Sequence, residues 1–173
     1  GFKYSTLSGY SWGMSELPKI EQKPAILEEG KRRAREIDEH YEQGLLTSSE
    51  RHSAIIKVWT EIKDQIEALS RDALPEGGSA YSMIESGARG SLGQLVQMIG
   101  MKGLVASASG ETVELPVKGS FKEGLDAMEF FISSHGVRKG LTDTALKTAN
   151  AGYLTRRLVD VAQDITVAQE DCG

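Results

Sequence analysis

A short motif near the start of the chain has the residue types of a serine nucleophile. Residues 9–13 read Gly-Tyr-Ser-Trp-Gly, matching the G-x-S-x-G pattern in which the serine occupies a strained turn between a strand and a helix. That chemistry also needs an acid and a histidine later in the chain. His40 and His52 fall on a predicted helical hairpin, which leaves His135 as the candidate base. Pro18 interrupts the segment that should form the helix, so hydrolysis stays an alternative function.

A glycine-rich turn further along the chain places an arginine where it can meet an anion. Residues 87–91 read Gly-Ala-Arg-Gly-Ser and open a helical pattern. Such a turn can direct backbone N–H groups and the guanidinium of Arg89 at a phosphate. It is not a Walker loop, because the Gly-Lys-Ser/Thr ending is absent. A plain helix-breaking turn is the alternative interpretation.

The last helical stretch carries a local excess of positive charge. Residues 131–163 contain five Lys or Arg against two Asp, a net charge of +3. At its centre residues 148–152 read Thr-Ala-Asn-Ala-Gly, and Gly152 costs about 1 kcal/mol relative to alanine within a helix. Small side chains flanked by cations suit a helix that a base pair or a nucleic-acid backbone approaches closely and that bends. Close packing against another helix is the alternative interpretation.

Composition restricts the class of protein before any element is assigned. The 173 residues carry a net charge of −5 with a pI near 5.3, which taken as a whole disfavours nonspecific phosphate binding. The single cysteine, Cys172, excludes a disulfide framework and a zinc site made by this chain, and it indicates a reducing, cytoplasmic setting. No stretch approaches the roughly 18 apolar residues of a membrane span, so no membrane partner is expected.

Heptad spacing predicts an antiparallel pair of helices that would support these segments. From Pro24, the seam of the first helix has 3-4-3-4 spacing and ends near Gly44. Thr47 and Glu50 form a capping-box pattern that opens the second helix, and this helix stops at Pro75. Residues 16–76 carry ten Lys or Arg and fourteen Asp or Glu, mostly off the seam, which fits either a solvated scaffold or a docking surface for a partner. The seam positions of the two helices are Leu27, Gly30, Ala34, Ile37 and Tyr41, then Ile55, Trp59, Ile62, Ile66, Leu69 and Ala73.

The remaining segments predict shorter elements and a long final helix. An irregular N-terminal segment precedes the pair, and two short helices follow it with a turn around residues 87–90. Residues 103–118 predict a small β-hairpin. The pair Ser120 and Glu123 predicts a helix that ends near His135, and the last helix is expected over residues 141–165.

A long continuous run identifies a family by resemblance. Residues 135–160 read His-Gly-Val-Arg-Lys-Gly-Leu-Thr-Asp-Thr-Ala-Leu-Lys-Thr-Ala-Asn-Ala-Gly-Tyr-Leu-Thr-Arg-Arg-Leu-Val-Asp, which strongly resembles the bridge helix of the largest (β′) subunit of bacterial DNA-dependent RNA polymerase. Residues 86–91, 100–104 and 121–125 resemble the funnel region of that subunit. The helical pair falls where the family has its rim helices, so the resemblance covers essentially the whole chain.

The resemblance implies a mainly α fold in three parts. Residues 1–78 are expected to hold the N-terminal segment and the rim helical hairpin, which is antiparallel. Residues 79–134 are expected to form the funnel region, with short helices and the small β-hairpin. Residues 135–173 are expected to form the long C-terminal bridge helix and the start of the next segment. The abrupt end at Gly173 suggests an internal fragment of a longer subunit.

The resemblance also implies roles for individual residues. Thr148 and Ala149 would face the template base, and Lys147 and Arg156 would contact phosphates of the nucleic acid. Gly152 would act as a hinge. Two further residues belong to the implied site: Arg157, as a nucleic-acid-binding residue, and Arg89, near the triphosphate of the incoming nucleotide. An autonomous helical interaction module, whose hairpin docks regulatory factors, is the alternative function.

Metals and partners follow from the resemblance as well. The family's magnesium-binding Asn-Ala-Asp-Phe-Asp-Gly-Asp motif is absent, so no catalytic residue and no nucleotidyl transfer are expected of this chain alone. Cys172 matches the first of four zinc-binding cysteines, and one thiolate cannot form that tetrahedral site. The expected partners are the other polymerase subunits, template DNA and RNA, and secondary-channel regulatory factors at the rim hairpin. The expected location is the cytoplasm, associated with the nucleoid.

Overall fold

The computed structural model, which describes residues 1–107 and 109–171, is mainly helical, as the sequence predicts. Its first three helices are α1 (Phe2–Ser8), α2 (Lys23–Glu42) and α3 (Ser48–Asp72). Two short helices, α4 (Ser79–Glu85) and α5 (Leu92–Ile99), follow and confirm the predicted break around residues 87–90. The 36-residue α6 (Ala127–Ala162) completes the chain.

Helices α2 and α3 form the predicted antiparallel hairpin. The capping box at the start of α3 is confirmed, since the Thr47 side chain accepts from the Glu50 N–H and the Glu50 carboxylate accepts from the Thr47 N–H. Later residues of α2 pair with earlier residues of α3, as antiparallel packing requires. Arg33 binds Glu61 at 2.7 Å near the middle of α2, and Asp38 binds Arg51 at 2.7 Å nearer its end.

Gly30 lets the two helices of the hairpin approach closely. A Cβ atom at this position would lie 3.0 Å from both Ile62 Cγ1 and Trp59 Cζ3. A larger side chain would therefore push against the core, because buried side chains are packed as densely as in a crystal. The small residue on the predicted seam is thus a packing requirement.

The hydrophobic core is centred on α3 and extends beyond the hairpin. Ile62 and Ile66 of α3 are fully buried, and Met101 after α5 is fully buried against them. The core therefore joins side chains on both sides of residue 78, and the domain boundaries after residues 78 and 134 stay predictions. The other buried members of this cluster are Leu17, Ile20, Ile55, Val58, Trp59, Leu74, Ala80, Leu95 and Ile99.

The β-hairpin predicted for residues 103–118 is not confirmed as a two-stranded sheet. Within the described residues this segment forms two isolated antiparallel bridges, Gly103 with Val117 and Ala106 with Thr112. Gly103 and Val117 exchange both backbone hydrogen bonds, at 2.9 and 3.0 Å. Pairing therefore occurs at single positions, with the chain entering and leaving the bridges without a continuous ladder.

The prediction of two helices after residue 120 is wrong, because α6 is continuous. Ser120 and Glu123 do form hydrogen bonds of the capping type, but Gly124 follows with φ of 92°, which a right-handed helix cannot include. The helix begins instead at a second capping box, Asp126 with Glu129. It then passes through His135 and Gly136 without a break.

The segment before α2 differs from the prediction at one point. It contains the short helix α1, which has no buried residue. Gly9 ends α1 in the left-handed region, at φ of 65°, and Ser11 is exposed in the irregular chain that follows. The G-x-S-x-G motif thus follows a helix and no helix begins after it until Lys23 in the described chain. This is the reverse of the strand-to-helix turn that a nucleophile elbow requires.

Candidate nucleic-acid interface

Helix α6 is attached to the rest of the protein at its first turns and is then exposed. Ser133, with 5% of its surface exposed, is the buried residue of the helix among those described. From Val137 onward every residue of α6 is exposed except Asp143, which is half-buried. The predicted interface residues of α6 therefore lie on a surface that the described chain leaves open.

The centre of this surface is small and flat. Thr148, Ala149 and Gly152 are all exposed, and no atom lies within 4 Å of the position that a Cβ would take at Gly152. The Thr148 hydroxyl donates to the Thr144 carbonyl at 2.8 Å, so its polar atom is already satisfied. A planar group can approach the backbone here without meeting a long side chain.

Two cations lie on either side of Thr148. At about 100° per residue, Lys147 lies about 100° to one side of Thr148 and Arg156 about 80° to the other. The Arg156 side chain is 82% exposed, and its contact with Asp160, at 3.9 Å, is at the limit of an ion pair. Both cations are thus positioned to meet phosphates on either side of a group placed on Thr148.

Arg157 points away from the flanked surface. Its guanidinium carbon lies 4.5 Å from the centroid of the Tyr153 ring, the geometry of a cation–π contact. By helical position Arg157 is about 180° from Thr148. Thr148 and Gly152 therefore share one side of α6, Ala149 and Arg156 lie to one side of them and Lys147 to the other, and Arg157 lies opposite Thr148.

Arg89 is positioned by the turn between α4 and α5 and not by α6. Gly87 and Gly90 both have positive φ, at 67° and 87°, which allows the chain to reverse sharply around Arg89. The Arg89 side chain lines a mainly apolar cavity of about 250 Å³ between this turn and the N-terminal segment. The cavity walls include Trp12, Met83, Ser91 and Met98.

The described residues do not form a metal site. In the part of the chain that the structure describes, no three His, Cys, Asp or Glu side chains are grouped to hold a metal ion. Cys172, the predicted zinc ligand, lies outside the described residues, and a single thiolate is too few for tetrahedral zinc. Within residues 1–107 and 109–171 there is also no helix long and apolar enough to span a membrane.

Comparison with known families identifies the family of this chain. A family model described as RNA polymerase Rpb1, domain 4, matches residues 28–129, which is more than half of the chain. The chain belongs to the RNA polymerase Rpb1 family. A second model of the family, domain 5, matches residues 124–173 and so contains the whole of α6. The two matches of this Rpb1-family chain overlap at residues 124–129, where α6 begins.

Relatives of this Rpb1-family chain are similar along its whole length. It is 48% identical over 173 residues to the DNA-directed RNA polymerase subunit beta' of Staphylococcus saprophyticus, and 47% identical to those of Staphylococcus epidermidis and Staphylococcus aureus. All of this chain is covered in each comparison. The chain spans only 14 to 16% of the length of these three relatives.

Sequence reasoning missed the residues that attach α6. Glu129 and Lys102 bind across to other segments at the base of the helix, as described below. One signal was present, since Asp126 and Glu129 have the spacing of a capping box, but the nearer pair Ser120 and Glu123 has the same spacing. Nothing in the spacing of Lys102 indicated a contact with Ser133, which lies 31 positions away.

We expect the exposed part of α6 to open more readily than the hairpin. Backbone amides of residues 141–160 should exchange hydrogen faster than those of residues 58–70 of α3 in the monomeric 173-residue chain, because few buried contacts hold them. Gly152→Ala should slow local exchange about fivefold, since alanine favours a helix by about 1 kcal/mol. Gly30→Ala is the matched control, and it should speed exchange in the hairpin because its Cβ meets Trp59. Protection of α6 equal to that of α3 would contradict this expectation.

Proposed function

We propose that this chain is the part of the largest subunit of a bacterial DNA-directed RNA polymerase that forms the funnel, the rim hairpin (α2 and α3) and the bridge helix (α6). Membership of the Rpb1 family and the identity with beta' subunits support this proposal. Templated RNA synthesis is the activity of the whole enzyme, a nucleotidyltransferase. The chain contributes binding surfaces to it and no catalytic residue of its own.

One observation carries the proposal for α6. The helix presents a small, open surface at Thr148 and Ala149 with Lys147 and Arg156 on either side. In this role Thr148 and Ala149 contact the template base, and Lys147 and Arg156 contact phosphates. Arg157 adds positive charge on the opposite side of the helix, and Gly152 allows the helix to bend. Arg89, on the separate turn, binds the triphosphate of the incoming nucleotide.

The rim hairpin is proposed as the docking site for secondary-channel regulatory factors. Its tip supports this role because Leu45 is 68% exposed and Tyr41 is 42% exposed, an apolar pair on an otherwise charged hairpin. The other partners in the proposal are the remaining polymerase subunits, template DNA and RNA, in the cytoplasm and associated with the nucleoid. Magnesium and zinc belong to the intact subunit, where Cys172 is one zinc ligand.

The salt dependence of nucleic-acid binding tests this proposal. In an assembled polymerase, replacing Lys147 and Arg156 by glutamine should weaken binding to an RNA–DNA scaffold and reduce the slope of log affinity against log salt by about 2, because each phosphate contact contributes about 0.9. Lys57→Gln, which removes an exposed charge on α3, is the matched control and should leave the slope unchanged.

An unchanged slope in the double variant would contradict the role of α6. That result would favour the alternative, an interaction module whose rim hairpin binds protein partners. The same double variant would then still bind a secondary-channel factor with unchanged affinity, while Leu45→Glu at the hairpin tip would not. Both functions predict these factor-binding results, so the salt slope of the double variant is the measurement that separates them.

A further inference from the structure

The direction in which α6 leaves the protein is determined over a short stretch. Its first turns contact other segments through Glu129, Ser133 and Gly136. A Cβ added at Gly136 would lie 3.3 Å from Val105 Cγ1. Beyond Gly136 the helix is exposed apart from Asp143. Any contact that fixes the orientation of α6 within the described chain is therefore at this base.

Glu129 makes the first of two anchors. Its Oε1 accepts hydrogen bonds from the backbone N–H groups of Lys118 at 2.7 Å and Gly119 at 3.1 Å. Its Oε2 accepts from the N–H of Asp126 at 3.3 Å. Hydrogen bonds to an ionised carboxylate are roughly twice as strong as neutral ones. A single side chain of α6 thus binds the preceding segment and closes the capping box at the same time.

The segment that Glu129 binds is itself fixed to the core. The N–H groups of Phe121 and Lys122 donate to the carbonyls of Gln97 and Met98, both at 3.0 Å, at the end of α5. Glu123 forms an ion pair with Lys23, whose side chain is 5% exposed, at the start of α2. The segment whose N–H groups donate to Glu129 is therefore connected to both the rim hairpin and α5.

Lys102 makes the second anchor. Its amine donates to the Ser133 hydroxyl and lies 5.6 Å from the centroid of the Phe121 ring. Burial lowers the pKa of this lysine. Its backbone N–H also donates to the Gly119 carbonyl at 3.2 Å, so the two anchors meet at Gly119. A Cβ at Gly119 would lie 2.8 Å from the Gly124 carbonyl oxygen, which leaves room for glycine only.

We propose that Glu129 and Lys102 are positioning residues, which set the orientation of α6 and thereby the placement of Thr148 and Ala149. The part that concerns placement rests on the function proposed above. Nineteen residues separate Glu129 from Thr148, a distance of roughly 28 Å along a helix. A tilt of about 5° at the base therefore moves Thr148 by about 2.5 Å, and displacements near 1 Å can cost about a hundredfold in rate.

A distance measurement tests the anchor without reference to catalysis. Spin labels are attached to Gln65→Cys on α3 and Ala145→Cys on α6 in a Cys172→Ser background of the 173-residue chain. Glu129→Ala should broaden the distribution of label distances, because three N–H groups lose their acceptor. Glu129→Gln retains an acceptor oxygen and should give a distribution close to that of the parent chain. Glu111→Ala, which removes an exposed carboxylate elsewhere, is the control.

The distance distribution measured for each variant either supports or overturns the anchor. An unchanged distribution in Glu129→Ala would overturn the anchor. If that variant does not fold, as judged by circular dichroism, Ser133→Ala replaces it, because this change removes only the acceptor of Lys102. A broadened distribution in folded Ser133→Ala then supports the anchor, and an unchanged one overturns it.

A second measurement, in the assembled polymerase, tests the effect on placement. Per active elongation complex, Glu129→Ala should lower the maximum rate of nucleotide addition at least tenfold, with the KM for nucleotide changed less than twofold, because Arg89 lies on another element. Glu129→Gln should restore most of the rate. A broadened distance distribution with an unchanged rate would overturn the proposed role of Thr148 and Ala149 while the anchor stands, so the two failures are distinguishable.

Discussion

Replacing Ala149 with leucine is expected to lower templated nucleotide addition by the assembled polymerase about 10- to 100-fold, with the chain still folded. Ala149 is exposed, so the substitution should change the free energy of unfolding by no more than about 0.5 kcal/mol. Leucine is also a strong helix former, which preserves α6. In the role proposed for Ala149, the added carbons would occupy the space of the template base, and displacements of about 1 Å can cost about a hundredfold in rate.

Asn150→Leu is the matched control for this experiment. Asn150 is the next residue of α6 and is also exposed, but its side chain lies about 200° from Thr148, on the far side of the helix. The control adds similar bulk at the neighbouring position of α6 and should lower the rate much less. Equal losses in the two variants would show that general bulk, and not the surface at Thr148 and Ala149, limits nucleotide addition.

Ile62→Ala is expected to lower the free energy of unfolding by about 2 to 5 kcal/mol, the largest stability effect we predict. Ile62 is fully buried in α3, where it packs against α2 beside Gly30 and joins the core shared with α5. Replacing Ile62 with alanine leaves a cavity between α3 and its neighbours α2 and α5, and packed helices cannot move enough to fill it. Urea unfolding followed by the fluorescence of buried Trp59 measures the change.

The same substitution at an exposed isoleucine is the control. Ile165, just after α6, is 78% exposed, so Ile165→Ala should change the free energy of unfolding by no more than about 0.5 kcal/mol. A loss of less than about 1 kcal/mol for Ile62→Ala would contradict the assignment of the core to α3. A loss at Ile165 comparable to that at Ile62 would mean that the segment after α6 packs against the protein.

The hairpin could be predicted from sequence because its signals are local and agree with one another. Pro24 near the start of α2, the heptad seam and the capping box of Thr47 with Glu50 all indicate the same two helices, and the structure has them within one or two residues of the expected ends. Gly30 on the seam is explained by the close approach of Trp59.

The start of α6 could not be predicted because it depends on contacts distant in sequence. Two capping patterns compete within ten residues, and the left-handed backbone of Gly124 decides between them. The sequence predicts the end of a helix near Gly136. In the structure Gly136 lies within α6, where the absence of a side chain lets Val105 pack closely against the helix. The pairing at residues 103–117 is limited to isolated bridges, which the alternation of residue types does not distinguish from a continuous hairpin.

The candidate interface was predicted from sequence more completely than the anchors that hold it. The small centre and flanking cations of α6 are visible in the order of residues, and their roles remain a prediction from resemblance. The placement of Arg157 opposite Thr148 follows from helical geometry. The anchors at Glu129 and Lys102 join residues up to 31 positions apart, and a single sequence carries no signal for such pairs.

The threonines of α6 give the helix a preferred plane of bending. The hydroxyls of Thr144, Thr148 and Thr155 each donate to the carbonyl four residues earlier, at 2.8 Å, and all three lie within about 40° of one line along the helix. Each such bond competes with the backbone N–H for that carbonyl and tends to bend a helix. Thr142, nearly opposite, makes the same kind of bond to the Arg138 carbonyl at 3.2 Å. Because the weakened bonds lie near one plane through the helix axis, the flexural stiffness of α6 differs between directions, so that thermal motion at its centre is directed largely along one axis.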